Sequence, residues 1–272
     1  MCGTFRKRHR SVFPSVPGTQ QEPQLVRKKV DLAHIRAVLF DLDGTLLQVR
    51  MSLFIPRYVA GVAEYFSGHA EPERFRSVFL EGVRALIAEP EGESTNEMRL
   101  LRFLNEQLGI EADFFRAQME QYRQQRVEDL AEMTAPIPAA AELVDLCRRL
   151  GQKTVLATNP VFPLFMVDAR RRWSGLEEVC FDHVTSYENS RYCKPSLHYY
   201  REVAAAIGIA PEQCLMVGND SNHDLAAMGA GMTTYLVDTY LVERPGRRWP
   251  SDYRGNHLEL LSFLQEHLPG RG

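Results

Sequence analysis

The sequence predicts an α/β fold, a doubly wound parallel sheet carrying an inserted α-helical module, and three observations predict it. The run Ala37–Phe40 is apolar at every position, the mark of a strand covered on both faces. From Pro136 onward, runs of this kind alternate with helical patterns, which argues for a parallel sheet flanked by helices. Between these parts, from about Val49 to Thr134, the spacing is helical throughout and no clear strand is visible.

The first run ends in Asp41 and Asp43, followed by Gly44 and Thr45. Gly44 allows a tight turn. Two carboxylates at the carboxyl end of a buried strand are costly unless something cationic meets them. Ligands of open α/β sheets bind at that same edge, which makes a divalent metal and a phosphorylated substrate the natural candidates.

In the helical stretch, Phe75, Val78, Phe79, Val83, Leu86 and Ile87 share one face, and Pro72 suits a first turn. Ser94 to Glu97 has capping-box spacing ahead of Met98, Leu101, Leu104 and Leu108, with Gly109 as a stop. A further helix is expected over Ala112–Leu130. A module in this position would sit over the ligand edge as a lid. Beyond it, strands are expected at Lys153–Thr158, Phe181–Thr185, Gln213–Val217 and Thr233–Val237. The intervening helices are Ala139–Leu150, Pro163–Trp173, Pro195–Ile207 and Asn222–Ala230, and a last amphipathic helix covers His257–Leu268. The expected organisation is therefore a tail over 1–34, a core over 35–48 and 135–272, and a helical cap over 49–134.

Charge and cysteine usage narrow the function. Residues 1–30 hold seven basic side chains against Glu22 alone, and the other 242 residues carry a net charge of −9. A body that acidic is a poor nucleic-acid binder. The basic, proline-containing tail reads as disordered. A nucleic-acid or membrane contact through Arg6–Arg10 and an organellar targeting peptide are the functional alternatives for it, and a solvated leader is preferred. The five cysteines, Cys2, Cys147, Cys180, Cys193 and Cys214, are odd in number and lack CxxC spacing, so a reducing compartment is expected. No apolar run reaches the ~20 residues of a membrane span. The expectation is a soluble, cytoplasmic protein with no membrane contact.

Four strand ends carry polar residues that one phosphoryl-transfer mechanism would use. These are Asp41; Thr158 with Asn159; Lys194, opening the helix after the third strand; and Gly218–Asp224 after the fourth. An ionised carboxylate can attack phosphorus. A second carboxylate two residues on can protonate the leaving oxygen and then activate water. A lysine and a threonine hydroxyl can orient phosphoryl oxygens, and Mg²⁺ suits an all-oxygen site.

With Asp-x-Asp-Gly-Thr at 41–45, Thr158, Lys194-Pro195 and an acidic motif at 218–224 in that order, the chain resembles the haloacid dehalogenase superfamily of aspartate-nucleophile hydrolases. Its insert lies where the α-helically capped subgroup carries its cap, and several stretches are similar to an uncharacterised bacterial branch. The resemblance implies a Rossmann-like core, Asp41 as nucleophile and Asp43 as general acid/base. It implies that Thr158, the backbone around Asn159, and Lys194 hold phosphate. It also implies Mg²⁺ on Asp41, the carbonyl of Asp43 and an acid of the fourth motif. Many relatives have an acid directly after the motif's glycine, where this chain has Asn219. Asp220 is taken as the ligand, with Asp224 behind it near Lys194, and Asn219 stays open as an alternative through its amide oxygen.

As an EF-hand loop, Asp-x-Asp-Gly would place Leu39 first and Arg50 twelfth, where carboxylates belong. Cys2 and Arg8 have the spacing of cysteine phosphatases but no strand before them. No HExxH, GxSxG, Walker loop or GxGxxG is present. Taken singly, Thr158, Lys194, Asp220 and Asp224 would be ordinary strand-end or helix-start residues; together they point to one site. Phe54 and Tyr58 are read mainly as core, with contact to a substrate as the alternative. The expected activity is Mg²⁺-dependent hydrolysis of a small phosphorylated metabolite through an aspartyl-phosphate. A sugar-phosphate mutase, using the same residues, and a non-catalytic scaffold are the alternatives. Asp43 argues against a dehalogenase, which needs neither that acid nor a metal.

Overall fold

A computed structural model describes residues 31–88, 92–244 and 249–270. The expected tail lies outside them except for residues 31–34, of which Leu32 is buried and the other three are exposed.

Six parallel strands form the main sheet. In chain order they are β1 (Ala37–Phe40), β4 (Lys153–Leu156), β5 (His183–Val184), β6 (Cys214–Gly218), β7 (Thr233–Val237) and β8 (Tyr253–Gly255). A separate antiparallel pair is made by β2 (Leu47–Val49) and β3 (Thr134–Pro136). In the main sheet the spatial order is β5-β4-β1-β6-β7-β8. The chain builds outward from β1 on one side, then returns to build on the other. β1 and β6 thus flank the crevice where the winding reverses, the usual ligand position of such sheets. Register lines up the strand ends, with Phe40 opposite both Leu156 and Val217, so the residues that follow emerge side by side.

Pleating divides β1. Ala37 and Leu39 join Val155, Met216 and the helix α7 (Leu197–Ala206) in one apolar cluster, while Val38 and Phe40 are buried on the opposite face. There α5 (Ala140–Arg149) packs beside α8 (His257–His267). A capping box at Asn256 and Glu259 starts α8.

Four helices fill the insert: α1 (Met51–Glu64), α2 (Pro72–Ala88), α3 (Asn96–Leu108) and α4 (Ala112–Gln125). Thr95 caps α3 by accepting from the Met98 N–H, and Gly109 ends it at φ 67°. Their core is aromatic. Phe66 stacks on Phe75 and Phe115 with centroids 4.6 and 5.2 Å away. The same apolar cluster continues into Phe162, and into Met166 and Ala169 of α6 (Leu164–Trp173). The start of α3 is also pinned to the core. Asn96 and Glu97 N–H donate to the Ser190 and Tyr187 carbonyls, and the buried Asn96 amide donates to the Pro160 carbonyl. Insert and core share one compact unit over residues 31–272.

The structure differs from the expected elements in three places. β2, β3 and β8 are only three residues long, too short to show a period. The helix expected over Asn222–Ala230 is instead a 3-10 segment, Leu225–Ala230, closed by Gly231 at φ 99°. Last, the helix expected over Ala112–Leu130 stops at Gln125 and gives way to a 3-10 segment, Val127–Met133. Phe54 and Tyr58, read mainly as core, are indeed buried among Phe162, Trp173, Phe79 and Tyr122.

Candidate active site

Three of the polar strand ends bring side chains together in one cluster. Asp41 directly follows β1, its N–H donating to Val217. Lys194, on the loop before α7, is 1% exposed. Its ammonium donates to Asp41 Oδ1 at 2.8 Å and to Asp224 Oδ1 at 2.7 Å. Residues 41, 194 and 224 thus form one buried cluster of two carboxylates and one cation. Burial pushes Asp41 up to about 7; Lys194 pulls against that, and Asp224 and Asp43 add to it. Burial works against the Lys194 charge too, but Asp224 and Asp41 hold its pKa well above the ordinary lysine value.

Thr158 is buried two residues beyond β4, its carbonyl accepting from Tyr199 Oη at 2.9 Å and Thr185 Oγ1 at 2.8 Å. Asn159 brackets the backbone of Lys194: its Oδ1 accepts from the Lys194 N–H at 3.2 Å and its Nδ2 donates to the Lys194 carbonyl at 3.5 Å. Its side chain is therefore a brace for the lysine loop. Gly44 closes the aspartate loop at φ 96°, and a Cβ there would run into the Asn219 amide. Asn219 Oδ1 accepts from Thr45 Oγ1 at 3.4 Å, and its Nδ2 donates to the Tyr240 carbonyl at 2.6 Å.

Both oxygens of Asp220, the expected ligand, have partners within the protein. Its Oδ1 accepts from the N–H groups of Asn222 and His223, at 3.0 and 2.8 Å, and its Oδ2 pairs with Arg244. Burial opposes its charge, but these donors hold Asp220 below the usual carboxylate range. The reason is local. An acid at the start of a turn is captured by its own backbone. Asp224 Oδ2 is likewise taken by the Asp220 N–H at 2.9 Å. Among the described residues no three His, Cys, Asp or Glu side chains converge to hold a metal.

Three partners were not read from the sequence. Arg170 of α6, without exposed surface, pairs with Asp43 Oδ2. Arg244 meets Asp220. His257 Nε2–H donates to the Thr45 carbonyl at 2.8 Å, and its Nδ1 faces Thr239 Oγ1 at 2.9 Å. For Arg170 a signal existed: it follows Met166 by four residues on the buried face of its helix, where an apolar residue is expected.

A family model described as haloacid dehalogenase-like hydrolase matches residues 35–231. A phosphoglycolate phosphatase of Chromobacterium violaceum is 27% identical over 219 residues, which cover 76% of this chain and 87% of that protein. An N-acetylmuramic acid 6-phosphate phosphatase of Pseudomonas aeruginosa is 24% identical over 246 residues, 86% and 96% of the two chains. Among solved structures, CbbY from Rhodobacter sphaeroides in complex with phosphate is 26% identical. It covers 83% of this chain and 96% of its own, with a TM-score of 0.51. No helix among the described residues is long and apolar enough to cross a membrane.

Proposed function

Because the chain belongs to the haloacid dehalogenase-like hydrolases, we propose that it hydrolyses a small phosphomonoester with Asp41 as nucleophile. The observation that carries this reading is the ammonium of Lys194 held between Asp41 and Asp224 at the strand ends. Lys194 grips one oxygen of Asp41, leaving the other to attack phosphorus. A P–O bond forms to Asp41 as the bond to the alcohol oxygen breaks, and Asp43 supplies the proton the alcohol needs. Asp43, then ionised, takes a proton from the water that attacks the aspartyl-phosphate, releasing phosphate and restoring Asp41. Lys194 and Thr158 are assigned to the phosphoryl oxygens.

The carbonyl of Asp43, the amide oxygen of Asn219 and the Lys194-bound oxygen of Asp41, through its remaining lone pair, would fit a hard divalent cation, Mg²⁺ by preference. Such a set is too small for a dedicated cage but suits an ion that keeps waters and is completed by a phosphate. Bound there, Mg²⁺ would neutralise charge on the phosphoryl group. Asn219 replaces Asp220 in this assignment, since both oxygens of Asp220 are engaged elsewhere. The named substrates of the two phosphatase relatives are phosphomonoesters, which supports the class without choosing a member. In this reading the helices of the insert serve as a cap that admits a small substrate.

The test is phosphate release from a panel of phosphomonoesters, with Mg²⁺ and with chelator. Release that needs Mg²⁺ and vanishes in Asp41→Asn is expected. Activity surviving that substitution would remove Asp41 as nucleophile. Interconversion of sugar phosphates without release would replace the hydrolase with a mutase.

A further inference from the structure

Arg170 is a costly residue that the mechanism above leaves without a role. Its Nε donates to the Met166 carbonyl of its own helix at 3.1 Å, and its Cζ lies 4.4 Å from the centre of the Phe162 ring. Nη1 donates to Asp43 Oδ2. Two complementary atoms of this pair are left over. Arg170 Nη2 and Asp43 Oδ1 are both buried, and neither has a hydrogen-bond partner among the described residues.

A two-pronged guanidinium–carboxylate pair would satisfy both orphans and would be the stronger contact. Leaving them unmade costs stability, since buried donors and acceptors without partners forfeit their hydration. The bond to Met166 and the contact with the Phe162 ring seat the guanidinium on its own helix, with one prong toward Asp43.

We propose that Arg170 is a positioning residue for proton transfer: by holding Asp43 Oδ2 from a fixed seat, it presents Oδ1 to the leaving-group oxygen. The proposal rests on the phosphatase reading. In the first step the proton on Oδ1 passes to the alcohol oxygen as its bond to phosphorus breaks. In the second, Oδ1 takes a proton from the attacking water. Arg170 stays a guanidinium throughout and exchanges no proton. The unfilled second prong lets the carboxylate pivot about Oδ2 between these steps.

Leaving groups provide the test, because p-nitrophenolate departs with little help whereas an aliphatic alkoxide must be protonated. Compare kcat/KM for p-nitrophenyl phosphate with that for the aliphatic phosphomonoester the wild-type chain hydrolyses fastest. Arg170→Met is expected to lower the aliphatic value by about 10²-fold, within the range of a misplaced general acid, and the p-nitrophenyl value by only about threefold. Arg170→Lys, which restores a cation but not the fork, is expected to fall between. Adding Arg170→Met to Asp43→Asn should cost nothing further on the aliphatic ester, since both act through one proton.

Equal losses on the two esters, or independent losses in the double variant, overturn the proposal and leave the phosphatase standing. A wild-type chain inactive on every phosphomonoester overturns both. Should Arg170→Met fail to fold, Phe162→Leu loosens the same seat. It is expected to show the same leaving-group dependence with smaller amplitude, and equal losses there count against the proposal.

Discussion

At the strand ends, the buried Lys194 lies within hydrogen-bond distance of both Asp41 and Asp224. In the insert, Phe66, Phe75 and Phe115 stack with no charge between them. Both groups are buried, but they answer to different physics. A buried charge keeps its place only while its partners stay, so loss of one leaves the others uncompensated. Buried rings lose roughly what their own volume contributed, and the effect stays local. On the proposed mechanism the strand ends couple stability to chemistry, whereas the interior of the insert is expected to govern stability alone.

Lys194→Met gives the widest separation. Asp41 and Asp224 would then face each other without a cation, and we expect turnover to vanish and unfolding free energy to fall by about 3–5 kcal/mol, the usual cost of breaking a buried pair. Asp41→Asn should also abolish turnover yet remain folded, because Lys194 keeps Asp224. Denaturant unfolding of the two variants measures the contrast, and equal midpoints would break it.

Phe66→Ala should also cost about 3–5 kcal/mol, by cavity formation. Here turnover per folded molecule is expected to persist, as checked by kcat at a temperature well below the transition. A large fall in kcat would tie the insert's interior to the reaction.

Gly44→Ala sharpens the comparison at the loop itself. A side chain at φ 96° is strained and would displace Asn219. We expect a loss of about 1–3 kcal/mol with turnover reduced alongside it, seen in parallel melting and rate assays.

The smallest effect is expected from pH. Burial holds His257 below the ordinary histidine value, the Thr45 carbonyl opposing this, so the folded chain favours the neutral ring. Its contribution to stability is then complete above the unfolded value near 6.5 and declines as pH falls through the folded value. His257→Gln should flatten part of that decline in unfolding profiles between neutral and mildly acid pH. An unchanged slope would remove His257 from the account.

The parts legible in sequence were those carried by runs. Ala37–Phe40 and Cys214–Val217 are apolar at every position, so both strands and the residues that follow them could be placed. The aspartate loop and Lys194 were legible for the same reason, since each lies next to an element with a clear pattern. Contacts across the chain left no such trace. Arg170 meets Asp43 across 127 positions, and His257 reaches Thr45 across 212. Asp220 illustrates a subtler limit. Its acidity is visible in the sequence, but not that two backbone N–H groups and Arg244 already occupy its oxygens.

The short ribbon of β2 and β3 has a mechanical consequence. The two strands by which the chain enters and leaves the helices are zipped together, Gln48 opposite Ala135, so they turn as one pin rather than two independent joints. That pin is soldered to the aspartate loop, the Gly44 N–H donating to the Leu47 carbonyl at 2.7 Å and the Leu47 N–H to Leu42 at 2.9 Å. Any swing of the helices is thereby geared to the peptide beside Asp43.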